Sequence, residues 1–262
     1  MHGKSATSAL LSYANDISYA LDNGMSVDSA YFGFVKAFDC VRHDYLIHKL
    51  IKSGISGNLL TWLIEYLTNR NQVVKVKTYV SSTKQVTSGV IQGSVLGPLL
   101  FTIFLNDIDV SVKNCVILKY ADDIRIYRCF KPDITSQLEN SHLFQSDING
   151  LSSWSSLWDL KFNVAKCCIL HFGRTNIKAD YKINDLELIK KHKEKDLGVL
   201  FSTKLKFDEH IQVIANKANK QLGLITKVFS SKDPQVIISL YKTFVRPHLE
   251  YNSIIWSPYT KK

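Results

Sequence analysis

The chain of 262 residues has no uninterrupted apolar run of the ~18–20 residues that a membrane-spanning helix needs. No apolar core of a secretory signal follows Met1-His2-Gly3-Lys4-Ser5. Cysteine is scarce: Cys40, Cys115, Cys129, Cys167 and Cys168, none in C-x-x-C spacing. The adjacent pair cannot chelate zinc in the usual way, so the common zinc modules are excluded and a reducing, intracellular setting fits best. Internal repeats and low-complexity linkers are absent. What remains is a chain with 45% hydrophobic residues, globular and long enough for one large domain or a domain with a smaller appendage.

Acidic residues are also few, and their shortage is local. The whole chain has 33 Lys+Arg against 23 Asp+Glu, a net charge of +10. Residues 1–160 hold 14 of each, so residues 161–262 hold the remaining 19 and 9 and carry the entire excess. Such a split suits a protein that binds metal with one part and a polyanion with the other, although many soluble domains are basic without binding nucleic acid.

Periodicity sets the elements. Residues 6–23 carry Leu10, Leu11, Ala14, Ile17 and Leu21 at helical spacing, stopped by Asn23-Gly24. Val27 to Phe34 reads as a strand, Tyr45 to Ser53 and Leu59 to Leu67 as helices, and Gln72 to Val80 alternates like a strand. A glycine-punctuated stretch from Gly89 to Pro98 leads into an apolar helix, Leu99 to Ile108. Later come a polar helix over Ile134 to Leu157, strand-like residues past Lys166 up to Phe172, a short strand Leu197 to Phe201, and helices His210 to Phe229 and Pro234 to Val245. Strands and helices mix without regular alternation, which predicts an α+β fold with an antiparallel sheet.

The stretch with most chemistry is Cys115 to Tyr127, where Asp122-Asp123 sits between two runs of β-branched and aromatic residues. Each run reads as a strand, with the acids at the turn. A bare Asp-Asp pair suits a solvated turn. That is the commoner reading of such a pair; the other is a site for a hard divalent cation such as Mg²⁺, which takes carboxylate oxygens and leaves positions for water and phosphate.

Three segments in order and spacing enlarge that pair: Tyr31 to Asp39 (YFGFVKAFD), Ser88 to Phe101 (SGVIQGSVLGPLLF) and Tyr120 to Asp123 (YADD). Together they resemble the palm of a reverse transcriptase, of the non-LTR (LINE, jockey-like) retrotransposon type. Phe162 to Cys167 is similar to the next motif of that family, Lys195 to Val199 to its primer-grip hairpin, and Leu249-Glu250-Tyr251 with Trp256 to Tyr259 to the end of its thumb-side region. The resemblance runs from about His2 to Tyr259. It implies a right-hand polymerase fold: a palm with partial fingers over residues 1–175, a primer-grip-like hairpin region over 176–207, and a helical thumb-like region over 208–262.

The resemblance also implies the chemistry. RNA-directed DNA polymerases add dNTPs to a primer 3′ end with two divalent ions, Mg²⁺ or Mn²⁺, about 3.5–4 Å apart and bridged by carboxylates. Asp122 and Asp123 correspond to two metal-binding carboxylates, Phe38 to the gate under the incoming sugar, Gln92 and Gly93 to the nucleotide pocket, and Lys166 to a general acid for the leaving pyrophosphate. Without the family match, Phe38 reads as core, Lys166 as a surface lysine and Gln92-Gly93 as a turn. The partners implied are an RNA template with a DNA primer and dNTPs, with no membrane; the location implied is cytoplasm and nucleus.

The sequence departs from the pattern in three places. The family's metal-binding Asp stands five residues before the gate aromatic, and here that position is Gly33. Asp39 lies six residues further on, about 20 Å along an extended strand, and is not expected to substitute. Ile91 stands where the family has Pro, restoring a backbone N–H before Gln92. The family's first fingers segment and endonuclease would lie upstream of His2, so the chain reads as a truncated copy. The expectation is a correct palm with impaired or no polymerase activity; the alternative is a non-catalytic nucleic-acid-binding remnant whose basic part still holds a duplex through phosphate contacts. A viral RNA-templated RNA polymerase shares the paired-Asp hairpin, but the run Gln92 to Pro98 and the long downstream match argue against it.

Overall fold

A computed structural model describes residues 5–230 and 233–257. Five strands form the central sheet: β1 (Ser26–Phe32), β2 (Val116–Tyr120), β3 (Asp123–Phe130), β4 (Cys168–Phe172) and β5 (Ile189–Lys191), in the spatial order β5-β4-β1-β3-β2. All neighbours are antiparallel except β5, which runs parallel to β4. Strand β1 lies at the centre. Its register pairs Ser26 with Phe130 and Phe32 with Ile124 on one side, and Val27 with Phe172 and Tyr31 with Cys168 on the other.

Helices α1 (Ala6–Asp22), α2 (His43–Lys52), α3 (Gly57–Leu67), α4 (Leu96–Phe104) and α5 (Ile134–Leu157) belong to the body around the sheet, while α6 (Asp208–Val228) packs its Ala218 and Ile225 against Val245 in a small separate cluster. Both faces of β1 are covered, which explains why its residues are almost continuously buried instead of alternating. Ala30 and Phe32 face the larger core with Leu46, Leu50, Phe101, Phe104, Phe144 and Ile148 from the helices. Val27 belongs to the second core, with Leu10, Tyr13 and Ile17 of α1 and with Val199 and Phe201 of a separate hairpin, β6 (Lys193–Asp196) and β7 (Val199–Ser202). That hairpin shares no ladder with the central sheet. The second face is closed from both ends of the chain: Thr7 Oγ1 donates to Asn252 Oδ1 at 2.6 Å.

Polar side chains fasten several elements. Ser5 and Ser8 form a reciprocal cap on α1, and Asp133 caps α5 by accepting from Ser136 N–H. Asp147, buried within α5, accepts the backbone N–H groups of Lys113, Asn114 and Cys115 at 2.8–3.0 Å and so fixes the entry to β2. Burial pushes its carboxyl up, but these hydrogen bonds outweigh that and hold it below the usual carboxylate range.

The fold agrees with the α+β expectation and corrects four element boundaries. Gln72 to Val80 is not one strand. Lys77 takes φ +55° and turns the chain into a small exposed hairpin, Lys75–Val76 with Tyr79–Val80, within a second ladder of Asn71–Gln72 with Lys84–Gln85. The helix read over Leu99 to Ile108 starts earlier, at Leu96, because Pro98 falls in the first turn, where no backbone N–H is needed. It ends at Phe104, and Asn106–Ser111 continues as a 3₁₀ helix. The helix read over Pro234 to Val245 is α-helical only to Leu240. A π-helical stretch, Tyr241–Val245, follows just ahead of Pro247, whose missing N–H interrupts the regular pattern. Pro258 and Tyr259 at the end of the last motif, and Met1 to Lys4, lie outside the described residues.

Candidate functional site

Strands β2 and β3 join through Ala121-Asp122, with Tyr120 paired directly to Asp123. Ala121 takes φ +52°, a conformation that residues with a Cβ rarely adopt, as the first position of a tight hairpin turn demands. The turn thus carries one carboxylate at its tip and one at the first residue of β3. Asp123 is exposed at the mouth of the site, yet its carboxyl is raised above the usual range. Partial loss of water around it is the main cause and repulsion from Asp122 the next; Arg125 and Lys166 act the other way.

The β1–β3 ladder locates the third position. Phe32 pairs with Ile124 as the last rung, and Gly33 and Asp123 are the residues that follow and precede that rung on the two strands. By the two-residue alternation of a sheet, both lie on the face opposite that of Phe32 and Ile124. A Cβ built on Gly33 would meet nothing within 4 Å, and its backbone φ is not left-handed. The position is therefore open and sterically ready for a side chain that is not there. Asp28, the nearest acid upstream on β1, cannot fill it. It is an odd number of residues away and so faces the other side of the sheet, where His171, Tyr181, Asn140 and Asn176 take its carboxylate. Asp39 is also engaged elsewhere, accepting from Gln92 Nε2 at 2.6 Å.

Gly33, Asp123 and Lys166 line one cavity of about 300 Å³. Lys166 ends a short 3₁₀ turn, Val164–Lys166, anchored by Asn163, whose N–H donates to the Gly33 carbonyl at 2.8 Å. The rest of the lining was not singled out from the sequence as site: Tyr31, Leu118 and Tyr120 from the sheet, and Lys191, Glu194 and Asp196 from β5 and β6. Arg125 and Asp196 meet there as a buried ion pair. The missed signal was period-two alternation: Arg125 is two residues after Asp123 in an apolar strand, which puts a cation on the same face. The hairpin similar to a primer grip does reach this cavity, through Lys195, Asp196 and Leu197.

Phe38, Gln92 and Gly93 form a second group that does not line that cavity. Phe38 stacks on Phe101 of α4 with ring centroids 4.4 Å apart, and its carbonyl accepts from Val90 N–H at 2.8 Å. Gly89 lets the two segments approach. It takes φ +93°, and a Cβ there would lie 3.0 Å from the Asp39 backbone. Gly93 takes φ +79° in the turn before α4, and Ser94 Oγ bridges the Ile91 carbonyl and the Gly97 N–H.

Among the described residues, no three His, Cys, Asp or Glu side chains converge to hold a metal ion. Asp122 and Asp123 supply a hard, anionic donor pair, but the position facing them offers only backbone. The residues present do not fit a fully liganded pair of divalent ions.

Residues 30–224 match a family model described as reverse transcriptase (RNA-dependent DNA polymerase). The RNA-directed DNA polymerase from mobile element jockey of Drosophila melanogaster is 28% identical over 244 residues, which are 88% of this chain and 26% of that protein. The probable RNA-directed DNA polymerase from transposon X-element, also of Drosophila melanogaster, is 26% identical over 245 residues, 90% of this chain and 26% of that protein. The chain thus spans about a quarter of the length of the curated relatives it matches. Among solved structures, telomerase from Candida tropicalis in complex with a TWJ fragment of telomeric RNA superposes with a TM-score of 0.51 at 13% identity, covering 90% of this chain and 41% of that one. This last likeness concerns the fold alone.

Proposed function

Given that the chain belongs to the reverse transcriptase (RNA-dependent DNA polymerase) family, with non-LTR retrotransposon polymerases as relatives, we propose that it is a polymerase palm whose own nucleotidyl transfer is impaired at Gly33. The observation that carries this reading is that Gly33, next after the last β1–β3 rung at Phe32–Ile124 and with open space around it, lines one cavity with Asp123. The ancestral reaction adds dNTPs to a DNA primer 3′ end on an RNA template, using divalent ions held by carboxylates. Here Asp122 and Asp123 are the metal-facing pair, Lys166 the cation at the same cavity, and Phe38, Gln92 and Gly93 the nucleotide side. The metal would supply charge stabilisation at the transferred phosphate. What this chain's residues do without a third carboxylate is bind and orient.

Binding of template and primer is supported by the basic excess of residues 161–262, the part proposed to comprise the end of the palm, the grip-like hairpin region (176–207) and the thumb-like region (208–262). No helix of the described residues is long and apolar enough to cross a membrane. A location in cytoplasm and nucleus follows from the proposed role.

Primer extension on an RNA template with Mg²⁺ tests the reading. The native chain is expected to give little or no extension, and Gly33→Asp to raise it. Processive extension by the native chain overturns the impairment. A second reading, a binding remnant without catalysis, draws on the same basic excess; a flat dependence of log K on log salt for a primer–template duplex refutes it.

A further inference from the structure

We propose that Arg125 is a positioning residue: its buried ion pair with Asp196 seats the tip of the β6–β7 hairpin beside Asp123 and thereby sets where a primer 3′ end rests. The proposal builds on the reading above that this cavity receives a primer–template duplex. It begins from a topological fact. The hairpin has no backbone ladder to the central sheet, so side chains must hold it in register. Arg125 leaves β3 on the face of Asp123, two residues on, and reaches Asp196, the last residue of β6. Their side chains are 5% and 8% exposed. The guanidinium also lies 3.8 Å from the centre of the Tyr13 ring, and the Tyr13 hydroxyl is itself fixed by Ser29 and Tyr31 at 2.8 Å each.

A buried ion pair contributes little net stability, because removing two charges from water offsets their attraction; what a guanidinium–carboxylate pair supplies is a fixed geometry. The hairpin tip shows that it is held. Leu197 and Gly198 take φ +41° and +90°, the successive left-handed pair of a tight two-residue turn. Leucine is strained there, and such strain persists only when the surroundings over-determine it. From the other side, the Tyr251 hydroxyl donates to the Leu197 carbonyl at 3.0 Å. The tip is gripped between Arg125 on the Asp123 strand and Tyr251 near the end of the described chain, and Asp196 and Leu197 line the same cavity as Asp123.

The experiment uses the whole chain and a DNA primer–RNA template duplex carrying 2-aminopurine as the primer's 3′ nucleotide, whose fluorescence reports contact at that end. Asp196→Asn is expected to weaken the 3′-end response at least about ten-fold, the scale of removing one partner of a buried ion pair, while the salt slope of overall duplex binding stays the same. The double variant Arg125→Met with Asp196→Leu separates position from stability. It should keep the native thermal midpoint, as apolar replacement of a buried pair often does, and still lack the 3′-end response. A native-like response in either variant overturns the proposal. If the native chain binds the duplex but gives no 3′-end response, the positioning role fails and the duplex-binding reading stands; if it binds no duplex, both fail.

Discussion

Replacing Gly33 by Asp probes the site without asking it to turn over. The new Cβ enters open space, so packing costs nothing, and replacing a glycine whose φ is not left-handed gains up to about 1 kcal/mol through the unfolded chain. The carboxylate then enters the cavity that Asp123 also lines, with Asp122 next to Asp123 in the turn. Two unit charges about 5 Å apart repel by about 0.8 kcal/mol in water and about 3 kcal/mol at an effective dielectric near 20. Asp123 is already raised by partial desolvation and by Asp122, so the site tolerates a third negative charge poorly. Without divalent cation, Gly33→Asp is therefore expected to be about 1–2 kcal/mol less stable than the native chain. With millimolar Mg²⁺ the sign reverses, because a bound ion turns mutual repulsion into shared ligation, and stabilisation grows with the ratio of free ion to its Kd. The assay is thermal or urea unfolding of both proteins across a Mg²⁺ titration, with Ca²⁺ as a second hard cation. Native protein should be nearly insensitive. A variant whose stability is independent of Mg²⁺, or a native chain stabilised as strongly as the variant, refutes the assignment of position 33 as the missing ligand.

Three further expectations follow from groups outside that cavity. Lys49 is buried among Phe104, Trp154 and Trp158 and bonds Asp107 at 2.6 Å; desolvation lowers its pKa to about 8 despite that partner. Below pH 8 both folded and unfolded states hold the proton. Between pH 8 and the unfolded value the unfolded state binds more protons, so stability rises with pH by about 3 kcal/mol, and Lys49→Met abolishes the rise in urea titrations up to pH 10. Asp147→Asn puts an N–H₂ group among backbone donors and should cost on the order of 3 kcal/mol by chemical denaturation. In the native chain this contribution is present above the ordinary carboxylate pKa and is lost as pH falls through the depressed folded value. Gly89→Ala should cost on the order of 2 kcal/mol, since φ +93° and the Asp39 backbone both oppose a Cβ, with loss of the Phe38 stack on Phe101 visible in methyl and aromatic NMR shifts.

Local pattern carried much of this into the sequence. The helix Ile134–Leu157 was legible as a polar helix over about that span, and the Asp122-Asp123 turn from its flanking β-branched runs. Gly33 stood out against the motif around it. What local pattern could not carry was anything that depends on partners from distant chain. The run Gln72 to Val80 alternates like a strand, yet it has no sheet to join and folds back on itself at Lys77. β5 went unread because three residues, Ile189–Lys191, make a strand only by lying along β4. Arg125 looked like one more polar residue in an apolar run; its meaning comes from Asp196, and nothing in either neighbourhood announces the other. That Phe38, Gln92 and Gly93 lie outside the lining of the Asp123 cavity is likewise a tertiary fact.

The closing of the sheet's second face from both chain ends bears on the order of folding. The first core draws its buried residues from between Ala30 and Leu188. The second requires α1 to wait for β6 and β7, which are made after it, and then for Asn252, a loop closure of 245 residues. Closure entropy grows only slowly with loop length, but it must be met before the contact returns anything, so this half of the molecule is expected to condense last. Until it does, Val27, Tyr127 and Phe172 present apolar surface to solvent, and the cavity beside Asp123 has a floor but no wall. During synthesis, that interval is when the protein is most exposed to aggregation and to chaperones.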